Sequence, residues 1–202
     1  LYAIYGESLF EEMDLPLLSA FSSQELKVVK TMLQKGIQTP LTSSAGRLFD
    51  AMASLLDLKQ QNSFEGEAAM ALEFSITDEA CHGLYSFHVR SGKPMIVDWE
   101  PMLHAVLRDM AASVSTGVIS KKCHNTLVAV MVEIAKQSGE KQVVLSGGCF
   151  QNRYLLEQAV ICLREAGFDV YVPPQDPPDE GGVAVERAFV AVHHLKDHQS
   201  CA

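Results

Sequence analysis

The stretch that most constrains the fold is residues 143–152, VVLSGGCFQN, in which a short apolar run ends in a serine and two glycines before a helical pattern begins. A strand that turns through glycines into a helix is typical of α/β proteins. Glycines let backbone N–H groups approach an anion closely, and the following helix points the positive end of its dipole at the same place. The stretch therefore fits a plain strand-to-helix turn or a phosphate-binding loop at Ser146, Gly147 and Gly148.

The final third of the chain alternates strand and helix. Strands are predicted at 143–145 and 168–172, and helices at 152–166 and 182–195. This order predicts neighbouring parallel strands joined by a right-handed crossover. Because ligands gather at the carboxyl ends of parallel strands, the polar, glycine-bearing loops that follow the two strands are candidate ligand loops.

The second of these loops, residues 173–182, contains four prolines and presents Asp179 and Glu180 directly before a glycine pair. Rigidly held carboxylates suit a hard or borderline divalent cation. A Pro-rich connector with a helix-capping acid explains the same residues equally well. Since no histidine lies near this loop in sequence, it would not complete a metal site by itself.

A third polar segment, residues 39–51, places the hydroxyls Thr42, Ser43 and Ser44 at the start of a predicted helix. One hydroxyl is expected to cap the helix. Three in a row beside Gly46 and Arg47 exceed what capping needs, and they would also suit hydrogen bonding to a nucleotide or a carbamoyl group.

A fourth polar turn places Glu65 and Glu67 on either side of Gly66, at the start of another predicted helix. Carboxylates in this position usually interact favourably with the helix dipole. One of the two carboxylates could instead hold a ribose hydroxyl.

The remaining elements follow from local patterns. A capping box at Ser22 and Glu25 with Gly36 as the stop predicts a helix, residues 84–97 predict a β-hairpin, and Pro101 opens a further helix. Ser120 is predicted to cap a long helix that carries His124. A buried, hydrogen-bonded imidazole is the expected state of His124, with a catalytic role near the ligand as the alternative.

Composition excludes several classes of protein. The net charge of −9 and the pI near 5.2 argue against a broad nucleic-acid surface, which requires a basic patch. No apolar run reaches the roughly 18 residues of a membrane span, and the N-terminus lacks a signal-peptide pattern. The five cysteines are widely scattered along the chain, which indicates that their thiols are reduced and not paired in disulfides. We therefore expect a soluble, cytoplasmic protein that binds neither nucleic acid nor membrane. Because the sequence begins with Leu1 and not with a methionine, we expect it to be part of a longer chain.

These patterns predict an α/β protein, or an α+β protein if the numbers of helices and strands decide the class. A small mixed sheet is expected to combine the hairpin and the parallel strands, with several helices packed against it. Residues 1–80 are expected to form a helical segment that carries the Thr42–Asp50 loop. Residues 81–202 are expected to form an α/β lobe that carries the Ser146–Gly148 and Asp179–Gly182 loops. The two parts together would make one compact unit of a larger protein.

The motifs at residues 39–51, 65–70, 145–152 and 177–182 together resemble the carboxyl-terminal part of the hydrogenase-maturation carbamoyltransferase family. Their order and spacing cover nearly the whole chain. That family is similar to the tRNA threonylcarbamoyladenosine synthases and the antibiotic O-carbamoyltransferases. The resemblance implies one lobe of the two-lobed fold shared by actin, sugar kinases and Hsp70.

The resemblance also implies an activity. Such enzymes make carbamoyl-adenylate from carbamoyl phosphate and ATP, with a divalent metal, iron or zinc, in the full-length protein. They pass the carbamoyl group to the C-terminal cysteine of a partner maturation protein, and the product becomes the cyanide ligand of the [NiFe]-hydrogenase iron. Because the attacking thiol belongs to the partner, Cys149 is expected to pack rather than react.

The family pattern gives residue expectations for this chain. Glu180 stands where the family usually has an aspartate metal ligand, with Asp179 before it, so the metal site could be shifted or lost. His124 is the only catalytic candidate. The predicted nucleotide- and carbamoyl-binding residues are Thr42, Ser43, Ser44, Gly46, Arg47, Asp50, Glu65, Gly66, Glu67, Ser146, Gly147, Gly148 and Asn152.

Other parts of the family lie upstream of the region that this chain resembles: the metal-binding histidine pair, the acylphosphatase-like domain, the zinc-finger region and the adenylate-forming domain. We therefore expect the chain to work with upstream domains of the same polypeptide and to be inactive alone. A non-catalytic docking module derived from the family is the alternative. A sugar or acyl kinase lobe would share the fold but would not explain the match at Thr42–Asp50.

Overall fold

The structure, a computed structural model, describes residues 1–77 and 83–173 and divides the chain into two compact units, Leu1–Val130 and Met131–Ala202. The elements in chain order are α1 (Tyr2–Tyr5), α2 (Ser8–Glu11), α3 (Pro16–Ser19), α4 (Ser23–Lys35), α5 (Ala45–Leu55), α6 (Glu67–Phe74), β1 (His88–Arg90), β2 (Ile96–Asp98), α7 (Glu100–Ala111), α8 (Thr116–Ser138), β3 (Gln142–Val144), a 3-10 turn (Gly148–Gln151), α9 (Arg153–Glu165) and β4 (Asp169–Tyr171).

Helix α4 forms as its terminal residues predict. The Ser22 Oγ accepts a hydrogen bond from the Glu25 backbone N–H, and the Glu25 carboxylate accepts one from the Ser22 N–H at 2.8 Å. Gly36 ends the helix in the left-handed conformation with φ 64°. Such reciprocal capping satisfies backbone groups that the first and last turns would otherwise leave unpaired.

The core of the first unit lies between helices α5, α6, α7 and α8. Helices α5 and α6 pack against each other, and the side chains buried there include Phe49 and Leu72. Helix α7 contributes Met102 and Val106, and α8 contributes Ile119. Burial of side chains of this size contributes roughly 1.5 to 3 kcal/mol each relative to exposure, which makes this helical core the main source of stability in the unit.

Helix α8 begins earlier than the sequence predicts. It starts at Thr116, so Ser120 does not cap it but lies inside it, fully buried, and donates its hydroxyl to the Leu72 carbonyl at 2.6 Å. Gly117 lies in the first turn, where an added Cβ would come within 2.5 Å of the Ser75 carbonyl oxygen. Gly117 is therefore a point of close packing, which a local sequence pattern does not reveal.

The predicted hairpin is present but short. Strands β1 and β2 pair antiparallel, with Val89 opposite Val97. The segment before β1 is anchored to helix α8, because the Tyr85 N–H donates to the Thr126 hydroxyl at 2.8 Å. A hairpin of this size is marginal alone, so such anchoring contributes to its stability.

The second unit confirms the predicted strand, helix and parallel strand. Strands β3 and β4 pair in parallel with Val143 opposite Val170, and helix α9 connects them and packs on β4. The buried side chains of α9, Leu155, Ala159 and Leu163, recur at helical spacing.

The α+β character of the chain is confirmed. The hairpin and the parallel pair nevertheless form two separate two-stranded sheets in the described ranges, whereas the sequence predicted one mixed sheet. Alternation along a strand predicts its faces but not which strand it pairs with. The predicted helix at 182–195 lies outside the described residues. Among the residues that the structure describes, no helix has the length and apolar character needed to cross a membrane.

Candidate functional site

The hydroxyl loop, residues 42–47, leads into helix α5. Ser44 is the N-cap, and its Oγ accepts a hydrogen bond from the Arg47 backbone N–H at 3.4 Å. The Thr42 Oγ1 accepts one from the Ser44 N–H at 3.1 Å, and Ser43 is exposed. Two of the three hydroxyls thus serve local turns, and their free lone pairs and the exposed Ser43 hydroxyl face solvent-accessible space at a helix N-terminus.

Asp50 lies one turn into α5 and has an unusual environment. Its Oδ2 atom is shielded from solvent and accepts no hydrogen bond from the described part of the chain. The Arg47 Nη2 lies 3.0 Å from this oxygen, close enough for an ion pair but without hydrogen-bond alignment. A shielded carboxylate oxygen is costly unless it is compensated, and the Arg47 guanidinium supplies the compensating charge.

The turn at Glu65–Glu67 is organised by its own residues. Gly66 has φ 82° and is the N-cap of α6. The Glu67 carboxylate contacts the Lys59 Nζ at 2.6 Å and accepts a hydrogen bond from the Ser63 N–H at 2.5 Å. The bond from Lys59, followed by that from Ser63, lowers the pKa of Glu67 below its usual value. Glu67 is thus engaged locally, and the exposed Glu65 is the carboxylate that remains open to solvent.

His124 lies in the core of the first unit. Its side chain is 0% exposed, its Nδ1 donates to the Ser120 carbonyl at 2.8 Å, and its ring lies 5.1 Å from the Phe49 ring. Burial lowers the pKa of His124 to about 4, and the bond to Ser120 opposes this shift only in part. The expected buried, hydrogen-bonded imidazole is confirmed, and it is neutral at physiological pH.

A polar cluster between α7 and α8 was not predicted from the sequence. The Asp109 Oδ2 accepts hydrogen bonds from the Lys122 Nζ at 2.7 Å and the Tyr85 hydroxyl at 2.8 Å. Burial raises the pKa of Asp109, but the bonds from Lys122 and Tyr85 outweigh it, and the net shift is downward. The three residues are far apart in sequence, so no local spacing signals the cluster. It joins two helices and the segment before the hairpin.

The glycine loop, residues 146–148, follows strand β3 in the second unit. Gly147 has φ 98° and ψ 165°, a region that is almost restricted to glycine. The chain then makes the 3-10 turn before α9, so one turn separates the glycines from the α-helix that the sequence placed directly after them. Within this turn the Phe150 N–H donates to the Gly147 carbonyl at 3.0 Å, so the turn is closed by a backbone hydrogen bond directly after the glycines.

Asn152 joins the 3-10 turn to helix α9. Its side chain is almost fully buried, and its Oδ1 accepts the Leu155 N–H at 2.8 Å as the N-cap. Its backbone N–H donates to the Cys149 carbonyl at 3.3 Å. The residue expected to contact a ligand thus positions the glycine loop relative to α9 through its capping oxygen.

The predicted residues fall in different parts of the structure. The hydroxyl loop, Asp50 and the Glu65–Glu67 turn belong to the first unit, and the glycine loop and Asn152 belong to the second. The predicted metal ligands Asp179 and Glu180 lie outside the described residues. Within residues 1–77 and 83–173, no group of three or more His, Cys, Asp or Glu side chains is arranged to hold a metal ion.

Known proteins resemble the chain over most of its length. Residues 2–185 match the family model described as "Carbamoyltransferase, Kae1-like Domain, second subdomain". The carbamoyltransferase HypF of Synechocystis is 39% identical over 167 residues, which are 82% of this chain and 21% of that protein. HypF of Rhizobium leguminosarum is 31% identical over 84% of this chain and 22% of its own length.

Solved structures of HypF proteins also resemble this chain. A crystal structure of full-length HypF in a phosphate- and nucleotide-bound form superposes with a TM-score of 0.81 and is 33% identical, covering 89% of this chain and 24% of that one. The structure of HypF from T. kodakarensis has a TM-score of 0.72 at 26% identity. The chain thus spans between a fifth and a quarter of the length of these relatives. The family model and the identities together show that the chain belongs to the HypF carbamoyltransferase family, in which it corresponds to the second subdomain of the Kae1-like domain.

Proposed function

We propose that this chain is the nucleotide- and carbamoyl-binding part of a carbamoyltransferase that forms carbamoyl-adenylate from carbamoyl phosphate and ATP. The enzyme then transfers the carbamoyl group to the C-terminal cysteine of a partner protein during [NiFe]-hydrogenase maturation. The same proposal places it in the cytoplasm, working with upstream domains of its polypeptide. Family membership supports the transferase class, and the nucleotide-bound state of a 33% identical relative supports the ligand.

The observation that carries the proposal is the Asp50 carboxylate, which lies in α5 directly after the hydroxyl loop, is paired with Arg47 at 3.0 Å and has a side chain that is 18% exposed. A ribose hydroxyl can donate a hydrogen bond to this carboxylate, and a bond to a charged acceptor contributes about 1.5 to 3 kcal/mol. The nearby hydroxyls of Ser43 and Thr42 provide further partners for a polar ligand at the start of α5.

The glycine loop is proposed to hold phosphate oxygens. Gly147 lacks a side chain and has no heavy atom within 4 Å of its would-be Cβ, so backbone donors on either side are accessible to an anion. A carboxylate pair at Asp179 and Glu180 provides oxygen ligands of the type that iron or zinc can take, and such a metal would polarise a carbamoyl carbonyl. The roles given to Asp50 and Gly147 do not depend on it.

The test uses a chimera in which this chain replaces the matching segment of the Synechocystis carbamoyltransferase. We expect ATP–pyrophosphate exchange that depends on carbamoyl phosphate. Asp50→Asn should raise the KM for ATP by about tenfold, the equivalent of one charge-assisted hydrogen bond of modest strength. Asp14→Asn, which changes an exposed carboxylate in the same unit, is the matched control. Absence of exchange in a folded chimera, or an unchanged KM in Asp50→Asn, would overturn the proposal.

A further inference from the structure

Helix α8 contacts both of the helices that begin at candidate ligand turns. Helix α5 begins at the hydroxyl loop, and helix α6 begins at the Glu65–Glu67 turn. Two α8 residues reach these helices, Ser120 and His124, which lie one turn apart and are both 0% exposed. A polar side chain without access to solvent is costly unless its hydrogen bonds are made, so the partners of these two residues show what they contribute to the structure.

Ser120 holds the carboxyl end of α6. Its hydroxyl donates to the Leu72 carbonyl at 2.6 Å, and the Ser75 hydroxyl donates to the same carbonyl at 2.7 Å. Leu72 lies in the last turn of α6, where the backbone carbonyls of a helix need partners from outside the helix. Ser120 therefore ties one end of α6 to α8, and the Glu65–Glu67 turn lies at the other end.

His124 reaches α5 through an aromatic contact. The ring centroids of His124 and Phe49 are 5.1 Å apart and their planes are tilted by 40°, which is within the range of a favourable aromatic pair. The bond from the His124 Nδ1–H to the Ser120 carbonyl fixes how the imidazole is turned toward Phe49. Because both rings are buried in a close-packed core, neither shifts without moving its neighbours.

The packing of Phe49 determines where the next residue, Asp50, points. Successive residues of an α-helix are about 100° apart around its axis, so Asp50 lies at the margin of the buried face of α5 and its Oδ2 is shielded. If α5 rotated or slid after loss of the aromatic contact, the carboxylate would be displaced. Hydrogen bonds weaken steeply outside their usual geometry, and a displacement of about 1 Å is enough to reduce ligand affinity.

We propose that His124 is a positioning residue for the nucleotide site, which packs on Phe49 and thereby holds Asp50 in place for a ribose hydroxyl. The inference rests on the proposed function, in which Asp50 contacts the ligand. Since the His124 side chain has no exposed surface, it acts through Phe49 and does not touch the ligand. Ser120 joins the same helix to α6, so α8 supports the hydroxyl loop and the Glu65–Glu67 turn together.

Steady-state kinetics of ATP–pyrophosphate exchange in the Synechocystis chimera test this role. His124→Asn keeps a donor near the Nδ1 position but removes the ring, and Phe49→Leu keeps an apolar side chain but removes the partner ring. A misplaced Asp50 weakens ground-state and transition-state binding alike. Each variant should therefore raise the KM for ATP about three- to tenfold and change kcat by less than about twofold. If one of the two variants does not fold, the other tests the same contact.

Two further variants separate positioning from a general loss of stability. Leu163→Ala removes a buried side chain in the second unit, so it should destabilise the chimera and leave the KM for ATP unchanged. Adding His124→Asn to Asp50→Asn should raise the KM by less than about a further twofold, because both residues act through one hydrogen bond to the ligand. A role confined to stability predicts neither result.

Three results would overturn the inference. The first is a KM within about twofold of the parent value in any folded variant of the His124–Phe49 pair. The second is an equal rise in Leu163→Ala, and the third is a double variant whose effect is the product of its two single effects. If Asp50→Asn alone leaves the KM unchanged, the proposed function fails and this inference fails with it. If Asp50→Asn raises the KM and His124→Asn does not, the inference alone is wrong.

Discussion

The hydroxyl loop and the glycine loop both precede helices, but different parts of the molecule hold them in place. The hydroxyl loop opens α5, which buries Phe49 and Met52 in a helical core, and Ser44 caps it directly. The glycine loop follows a strand whose outer edge is unpaired in the described part of the chain, with Val144 64% exposed. The comparison shows that one candidate ligand loop is supported by a buried helical core, whereas the other follows an exposed strand of a two-stranded sheet in the described residues.

The largest expected effect comes from removing the support of the hydroxyl loop. Phe49→Ala deletes a ring that is 2% exposed and packs on His124, and we expect a loss of about 3 to 5 kcal/mol in the free energy of unfolding. Urea denaturation measures it. Leu41→Ala, at a fully exposed leucine that precedes the same loop, is the control and should change the value by less than about 0.5 kcal/mol. Similar denaturation midpoints for the two variants would contradict the conclusion that the packing of Phe49 holds the hydroxyl loop in place.

The same core should make stability depend on pH. Because the pKa of His124 falls from 6.5 to about 4 on folding, the unfolded chain binds the proton more tightly. The stabilisation is complete above about pH 6.5, decreases as the pH falls toward 4, and amounts to at most about 3 kcal/mol. Denaturation midpoints between pH 4 and 7 measure it. His124→Gln should flatten this dependence and the exposed His88→Gln should not; equal slopes in both variants would argue against a buried neutral imidazole.

A smaller loss of stability is expected from a substitution in the glycine loop, because the substitution only makes the backbone conformation less favourable. Gly147→Ala places a side chain at φ 98° and ψ 165°, which costs about 1 to 3 kcal/mol, and it should also weaken phosphate binding. Gly139→Ala is the matched control, since Gly139 also has a positive φ, 76°, with open space around it. Thermal melts measure the loss of stability, and phosphate titrations followed by NMR measure the change in phosphate affinity. Equal phosphate affinity in both variants would remove the glycine loop as an anion site.

The smallest effects are expected at two ion pairs with exposed arginines, one in each region. Arg47→Ala breaks the pair with Asp50, and Arg153→Ala breaks the pair with Glu157 in α9, whose members are 85% and 54% exposed. Each change should alter the free energy of unfolding by less than about 1 kcal/mol, because the arginines are 56% and 85% exposed and solvent screens their charges. A loss above 2 kcal/mol for Arg47→Ala alone would mean that this ion pair, rather than the buried face of α5, holds the hydroxyl loop.

Local chemistry made much of this molecule predictable. The capping box of α4, its glycine stop, the hairpin and the parallel β3–β4 pair follow from residues close in sequence, and each is confirmed. The errors arise where distant residues decide. Helix α8 begins at Thr116, and its residues Gly117 and Ser120 pack against the distant Ser75 and Leu72 carbonyls. Within the described residues the strands form two sheets, because strand pairing depends on residues far apart in sequence.

The candidate site shows the same division. The sequence pattern pointed to the hydroxyls, the glycines and the family, since each depends on residue types at short spacing. It did not show that Thr42 and Ser44 serve turns, that Glu67 is paired with Lys59, or that one Asp50 oxygen is shielded from solvent and paired with Arg47. Whether a polar atom is satisfied depends on which groups folding brings near it.

By itself the sequence determined both ends of α4, the glycine that permits the turn after β3, and membership in the carbamoyltransferase family, because backbone propensity and short motifs reside in neighbouring residues. Only the tertiary structure decided that His124 is a neutral core residue and that, within the described residues, β3 pairs only with β4. Burial and strand pairing depend on contacts between residues that are far apart along the chain, and these contacts set both the charge of an imidazole and the completeness of a sheet.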